Sequence, residues 1–148
     1  MKTSVVLNGR AAELDVAGDE MLLDALRREG LRSVRATCGI GVCGACTVLV
    51  DGEPISGCLF LAAQAEGREV TTVEGLGGED PVQRAFEEAH AFQCGWCTPG
   101  MILTVKALLA EEPDPDEQRI AAALGGNLCR CGCYVEIAEA VRRGLEVS

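Results

Sequence analysis

Residues 37–58, TCGIGVCGACTVLVDGEPISGC, hold four of the chain's nine cysteines: Cys38, Cys43, Cys46 and Cys58. Four residues separate the first two, two separate the next pair, and eleven precede the last. A four-then-two spacing with a distant fourth cysteine is the plant-type 2Fe-2S pattern. The glycines give it a physical reason. A loop that wraps a cluster must bring backbone N–H groups onto the sulfides, and a Cβ at Gly39, Gly41 or Gly44 would hold the backbone away. Such N–H groups stabilise the cluster's negative charge and raise its potential. The competing reading is zinc, but structural zinc usually draws its ligands from two short pairs, which this stretch does not offer.

Outward from this stretch, residues 1 to about 75 read mostly as strands. SVVL and AELDV flank NGR, and TVLV and EPIS flank Asp51-Gly52, so two tight hairpins are predicted. Between them DEMLLDALRREG sets Leu22, Leu23 and Leu26 on one helical face and stops at Gly30. REVTTVEG supplies a last strand, and hairpins with a helix laid across them predict an α+β sheet domain. The stretch Gly75 to Gly78 is the expected linker.

Beyond it the period turns helical. Asp80-Pro81-Val82-Gln83 is a cap with proline at the first helical position and predicts a helix to about Phe92. A second helix opens at Thr98-Pro99. Asp114-Pro115-Asp116-Glu117 repeats the cap grammar ahead of QRIAAAL, and YVEIAEAVRRGLE closes the chain. The second cysteine set falls in the joints: Cys94 and Cys97 between the first and second of these helices, Cys129 and Cys131 between the third and fourth. Two short pairs could be zinc ligands when taken alone. The joints can meet at one end of a bundle, however, where helix starts near Pro99 and Tyr134 aim positive dipole ends at an anionic centre.

Composition narrows the setting. With 148 residues and 48% hydrophobic composition there is enough for one ordinary domain or two small ones. Aromatics are only 3%, so packing alone is a thin source of stability and the cysteines are the obvious supplement. Nine is odd, which defeats full disulfide pairing. The start MKTSVVLNGRAAELDV turns polar by Asn8 and predicts no signal peptide, and Arg27-Arg28 lies inside a helical pattern, unlike a twin-arginine signal. Clustered thiols without export signals predict a cytoplasmic chain with metal or redox chemistry. A net charge of −10 with no basic run argues against nucleic acid and anionic membranes. No run approaches ~20 apolar residues, so no membrane span is expected.

In order, CGACTV, CGWCTPG and GNLCRC over nearly the whole length resemble the iron–sulfur subunit of the molybdenum hydroxylases, the family of xanthine dehydrogenase, aldehyde oxidoreductase and aerobic carbon monoxide dehydrogenase. The resemblance implies a β-grasp ferredoxin-like 2Fe-2S domain at 1–76, followed by an all-α four-helix 2Fe-2S domain at 77–148. It implies that Cys38, Cys43, Cys46 and Cys58 ligate the ferredoxin-type cluster, and Cys94, Cys97, Cys129 and Cys131 the helical one. Gln93 and Cys131 would lie closest to molybdopterin. The expected partners are a molybdopterin-binding large subunit and an FAD-binding medium subunit, in a hetero-oligomer that can reach a dimer of heterotrimers. The expected function is relay of single electrons from the molybdopterin centre through two 2Fe-2S clusters to FAD, with no substrate site on this chain. A free-standing diffusible ferredoxin and a zinc-stabilised interaction module are the alternatives.

The chain departs from the family at two places. Thr37 stands where glycine commonly precedes the first ligand, and Gly132-Cys133-Tyr134 replaces Thr-Gly-Tyr after the CRC motif. Cys133 is expected to be a small packed residue. His90 is expected on a helix surface, Trp96 to shield the cluster from water, and EEPDPDE to be a solvated turn. The glycine-rich loop is expected at a rim and the helical cluster deeper.

Overall fold

The computed structural model describes residues 1–146; the last two residues of the expected helical domain lie outside them. The first half is a mixed five-stranded sheet: β1 (Lys2–Leu7), β2 (Arg10–Asp15), β3 (Thr47–Val50), β4 (Glu53–Ser56) and β5 (Glu69–Thr71). Their order is β2-β1-β5-β3-β4, with β1 and β5 parallel and the other neighbours antiparallel. The predicted hairpins form because Asn8-Gly9 and Asp51-Gly52 all take positive φ, the backbone of a two-residue turn that follows the strand twist.

Helix α1 (Leu22–Arg28) buries Leu22, Leu23, Ala25 and Leu26 against the sheet. Its first N–H groups are satisfied from outside the helix: Leu22 N–H donates to the Phe60 carbonyl at 2.7 Å and Leu23 N–H to Gly57 at 3.0 Å. This clamps the stretch around Cys58. A short 3₁₀ turn, Ala62–Ala65, follows and was not predicted.

The second half holds α2 (Pro81–Glu88), α3 (Thr98–Glu111), α4 (Glu117–Leu124) and α5 (Tyr134–Glu146). Asp80 caps α2 through a complete capping box with Gln83. The helix stops at Glu88 and does not reach Phe92 as expected. His90 adopts φ +50, its N–H donates to Glu87 O at 3.1 Å, and Ala91 N–H donates to Phe86 O at 2.9 Å. This is a Schellman ending with histidine in the left-handed seat. His90 is thus exposed but lies past the helix. In EEPDPDE the cap is Asp116, whose carboxylate accepts from Arg119 N–H at 2.8 Å, and Pro115 is buried, so the turn is only partly solvated.

Apolar residues gather in two clusters, one drawn from residues 5–70 and one from 82–141. Helix α3 buries Gly100 to Val105 almost all round because it packs on β3 and β4 as well as on α2 and α4. The helix expected from Thr98-Pro99 thus forms, and its contact with the sheet has no mark in the sequence pattern.

The expected linker is also more structured than its glycines suggest. Val73–Leu76 is a 3₁₀ turn, and a Cβ on Gly75 would stand 2.4 Å from Asn8 Oδ1. Asn8 stitches the two together: its amide donates to Thr72 Oγ1 at 3.0 Å and its Oδ1 accepts Thr72 N–H at 2.8 Å. Among the described residues no helix is long and apolar enough to cross a membrane.

Candidate metal centres

The first thiol loop turns at Gly39, Gly41 and Gly44, with φ of +69, +74 and +70. These turns aim amides at sulfur. Ile40 N–H and Cys43 N–H donate to Cys38 Sγ, each at 3.5 Å, and Ala45 N–H donates to Cys43 Sγ at 3.5 Å. The N–H groups of Ile40, Cys43 and Val42 hold the Cys38 thiol down at about 6, against an ordinary 9.0. Behind it Cys46 and Cys58 are buried side by side, and burial pushes Cys46 up to about 11.

The second set sits where α3 and α5 begin. Cys97 is the residue before α3, and Trp96 N–H donates to Cys94 Sγ at 3.4 Å. Cys133 N–H donates to Cys129 Sγ at 3.4 Å, while Cys129 N–H donates to the Tyr134 hydroxyl at 2.8 Å. Burial, then the neighbouring Cys129 thiol, pushes Cys97 up to about 12. Burial opposes ionisation of Cys129 too, but the N–H groups of Cys133, Gly132 and Cys131 and the Cys97 thiol together hold it below its ordinary value. Cys43, Cys94, Cys97 and Cys129 line one cavity of about 360 Å³. Cys131 is half-buried against the helical core, and Gln93 is exposed beside Cys94. Cys133 is buried at 3% exposure and serves the site through its backbone N–H.

Residues that sequence reasoning passed over join the two sets. Leu128 N–H donates to the Cys43 carbonyl at 2.9 Å, connecting the peptide before Cys129 to a cysteine of the first loop. Asn127, buried at 4% exposure, donates from Nδ2 to Gly44 O at 3.1 Å and Thr47 Oγ1 at 3.3 Å, and accepts from Thr104 Oγ1 at 3.0 Å. Gly44 admits this approach only because it lacks a Cβ, which would meet Gly126 O at 2.3 Å. The asparagine ahead of the CRC motif was the available signal.

The expected difference in depth is not found. Each set has buried and accessible thiols, and Cys94 of the helical set is exposed. The joints of α2 to α3 and α4 to α5 lie at the outer end of the helices, so their thiols open outward among exposed Phe92, Trp96, Leu128, Tyr134 and Val135. Trp96, at 46% exposure, faces solvent, as Cys94 does.

The donor chemistry fits 2Fe-2S clusters. Thiols meet in pairs at the first site, Cys38 with Cys43 and Cys46 with Cys58, as a centre with two thiolates per iron requires. At the second, Cys129 meets both the Cys97 and the Cys133 thiols, and Cys94 and Cys131 are not paired with each other. The Thr98 hydroxyl, next to Cys97, is buried with no hydrogen-bond partner, a donor free for an anionic group. Backbone amides already point at Cys38, Cys43, Cys94 and Cys129, where they would offset the charge of a thiolate-bound cluster.

Comparison with known proteins agrees. Residues 5–74 match the 2Fe-2S iron-sulfur cluster binding domain and residues 72–142 the 2Fe-2S binding domain. The nicotinate dehydrogenase small FeS subunit of Eubacterium barkeri is 48% identical over 144 residues, 95% of this chain and 92% of that protein. The xanthine dehydrogenase iron-sulfur-binding subunit of Escherichia coli O157:H7 is 46% identical over 91% of this chain and 88% of its own length. The solved structure of quinoline 2-oxidoreductase from Pseudomonas putida 86 superposes with a TM-score of 0.94 at 42% identity, covering 99% of this chain and 94% of the matched one. With two 2Fe-2S-binding domains in an α+β fold, the chain works within an oxidoreductase complex and belongs to the iron–sulfur subunits of the molybdenum hydroxylases.

Proposed function

We propose that this subunit relays electrons from a molybdopterin-binding large subunit to an FAD-binding medium subunit. Cys38, Cys43, Cys46 and Cys58 hold the ferredoxin-type cluster, and Cys94, Cys97, Cys129 and Cys131 hold the helical one, within domains 1–76 and 77–148. When bound, such clusters take up and pass on one electron at a time. What this chain adds is placement. The observation that carries the reading is the Leu128 N–H to Cys43 carbonyl bond of 2.9 Å, which ties the loops of both thiol sets directly together. Exposed Gln93 and half-buried Cys131 form the side turned to the molybdopterin subunit, among apolar residues a partner can cover. The ferredoxin-type side is turned to the flavin. Clustered reduced thiols suit the cytoplasm, and the working form is a hetero-oligomer.

Elemental analysis of the native complex tests the ligand sets: about four irons and four sulfides per copy of this chain are expected. Stoichiometric zinc would overturn them. The order is tested by rapid mixing of substrate with a Cys43→Ser complex whose other centres are intact. The helical site should still be reduced while flavin reduction becomes very slow. Flavin reduction at the wild-type rate would remove the ferredoxin-type site from the path.

A further inference from the structure

Arg35 and Thr37 precede the first thiol, yet both side chains meet Trp96 of the second thiol loop. The Trp96 indole Nε1–H donates to Thr37 Oγ1 at 2.8 Å across 59 positions of sequence. The Arg35 guanidinium lies over the same ring, 4.7 Å from its centroid. Each end is anchored to thiol-bearing backbone. Arg35 N–H donates to the Ala45 carbonyl at 3.1 Å in the first loop, and Trp96 N–H donates to Cys94 Sγ at 3.4 Å in the second. Thr37 and Trp96 line the cavity shared by Cys43, Cys94, Cys97 and Cys129.

The Arg35 side chain is half-buried against that ring. Its Nε is buried without a hydrogen-bond partner, and among the described residues it makes no salt bridge. Arginine cannot shed its proton, so a permanent cation is held partly desolvated, with an aromatic face for company. A cation in such a place favours any neighbouring group that gains negative charge.

We propose that Arg35, Thr37 and Trp96 form a clasp across the two thiol loops that fixes the Cys94–Cys97 loop and raises the reduction potential of the helical cluster. The proposal rests on the assignment of Cys94, Cys97, Cys129 and Cys131 to that cluster. Reduction adds an electron to an already anionic centre, and net charge nearby is one of the quantities that set its potential. Thr37 acts through Trp96. Its hydroxyl holds a half-exposed indole against the seam, and the indole holds the guanidinium. A glycine at 37 supplies no such acceptor, which gives the departure at this position a purpose.

The test is a redox titration of the assembled complex, with the two clusters followed by their separate EPR signals. Two signals and full iron content in the wild type confirm the ligand assignment beforehand, so failure of that reading shows there. In Arg35→Gln the helical cluster's potential should fall at unchanged iron content. Thr37→Val keeps the side chain's shape at an exposed position; the shift caused by Arg35→Gln should be smaller in that background, because the charge is no longer held in place. An unmoved potential in Arg35→Gln would overturn the tuning role. Strictly additive shifts in the double variant would overturn the clasp.

Discussion

In the first thiol site the amides that face sulfur come from one loop, residues 39–45, bent by three positive-φ glycines. In the second they come from two helix starts far apart in sequence, near Trp96 and Cys133. Both arrangements leave one easily ionised thiol, Cys38 or Cys129, and one held neutral by burial, Cys46 or Cys97. The same electrostatic balance is thus built once from local backbone and once from tertiary packing. The helical site borrows its rigidity from the first, since Asn127 and Leu128 lean on Gly44 and Cys43. It should be the more fragile of the two.

Gly44→Ala tests that dependence most severely. The new methyl would meet the backbone oxygen of Gly126 at 2.3 Å from a residue at φ +70. Roughly 2–4 kcal/mol of destabilisation is expected, with loss of both clusters in iron analysis; loss of the first alone would make the sites independent. Next in size is Cys131→Ser, which should abolish only the helical cluster's EPR signal. Its companion Cys133→Ser should keep both signals at a cost of about 1–3 kcal/mol for a buried hydroxyl. Loss of the helical signal there would make Cys133 a ligand. Asn127→Ala removes the buried amide that joins Gly44, Thr47 and Thr104, although the Thr47 hydroxyl still donates to Gly44 O and the Thr104 hydroxyl to Gly100 O. It should cost about 1–2 kcal/mol, read by thermal unfolding, with the helical cluster lost first on heating.

The smallest effect concerns acid. Burial raises the Glu74 pKa, but the hydroxyl and N–H of Ser33 and the Thr72 hydroxyl outweigh it and leave the carboxyl below its ordinary value. A lowered carboxylate pKa stabilises the fold above the unfolded value, and the contribution disappears as pH falls through the folded one. Ser33→Ala should therefore be less stable than wild type at neutral pH and equal to it in strong acid, as measured by denaturant unfolding across that range.

The difference between the sites also explains what the sequence discloses. Asn8-Gly9, Asp51-Gly52 and the glycines among Cys38, Cys43 and Cys46 act within a few residues, so the sheet and first site can be read directly. Asp80 announced α2, but its end rested on His90 taking a conformation usually left to glycine. The seam is marked in the sequence only by the asparagine ahead of the CRC motif, because Asn127 and Gly44 lie 83 positions apart and no local pattern says where they meet. The depth of the helical thiols was misjudged because joints at the tips of helices face outward unless another chain covers them.

The stitch between Asn8 and Thr72, with Gly75 pressed against it, has a kinetic consequence. A free tether would let the halves tumble, and passage between the thiol sites would wait on their chance approach. Here the interval is locked at the joint, at Asn127 and at Leu128, so no swinging arm sets the tempo. Transfer across it should answer to a fixed distance, the driving force and the reorganisation of the two centres, with no motion of the halves in the rate.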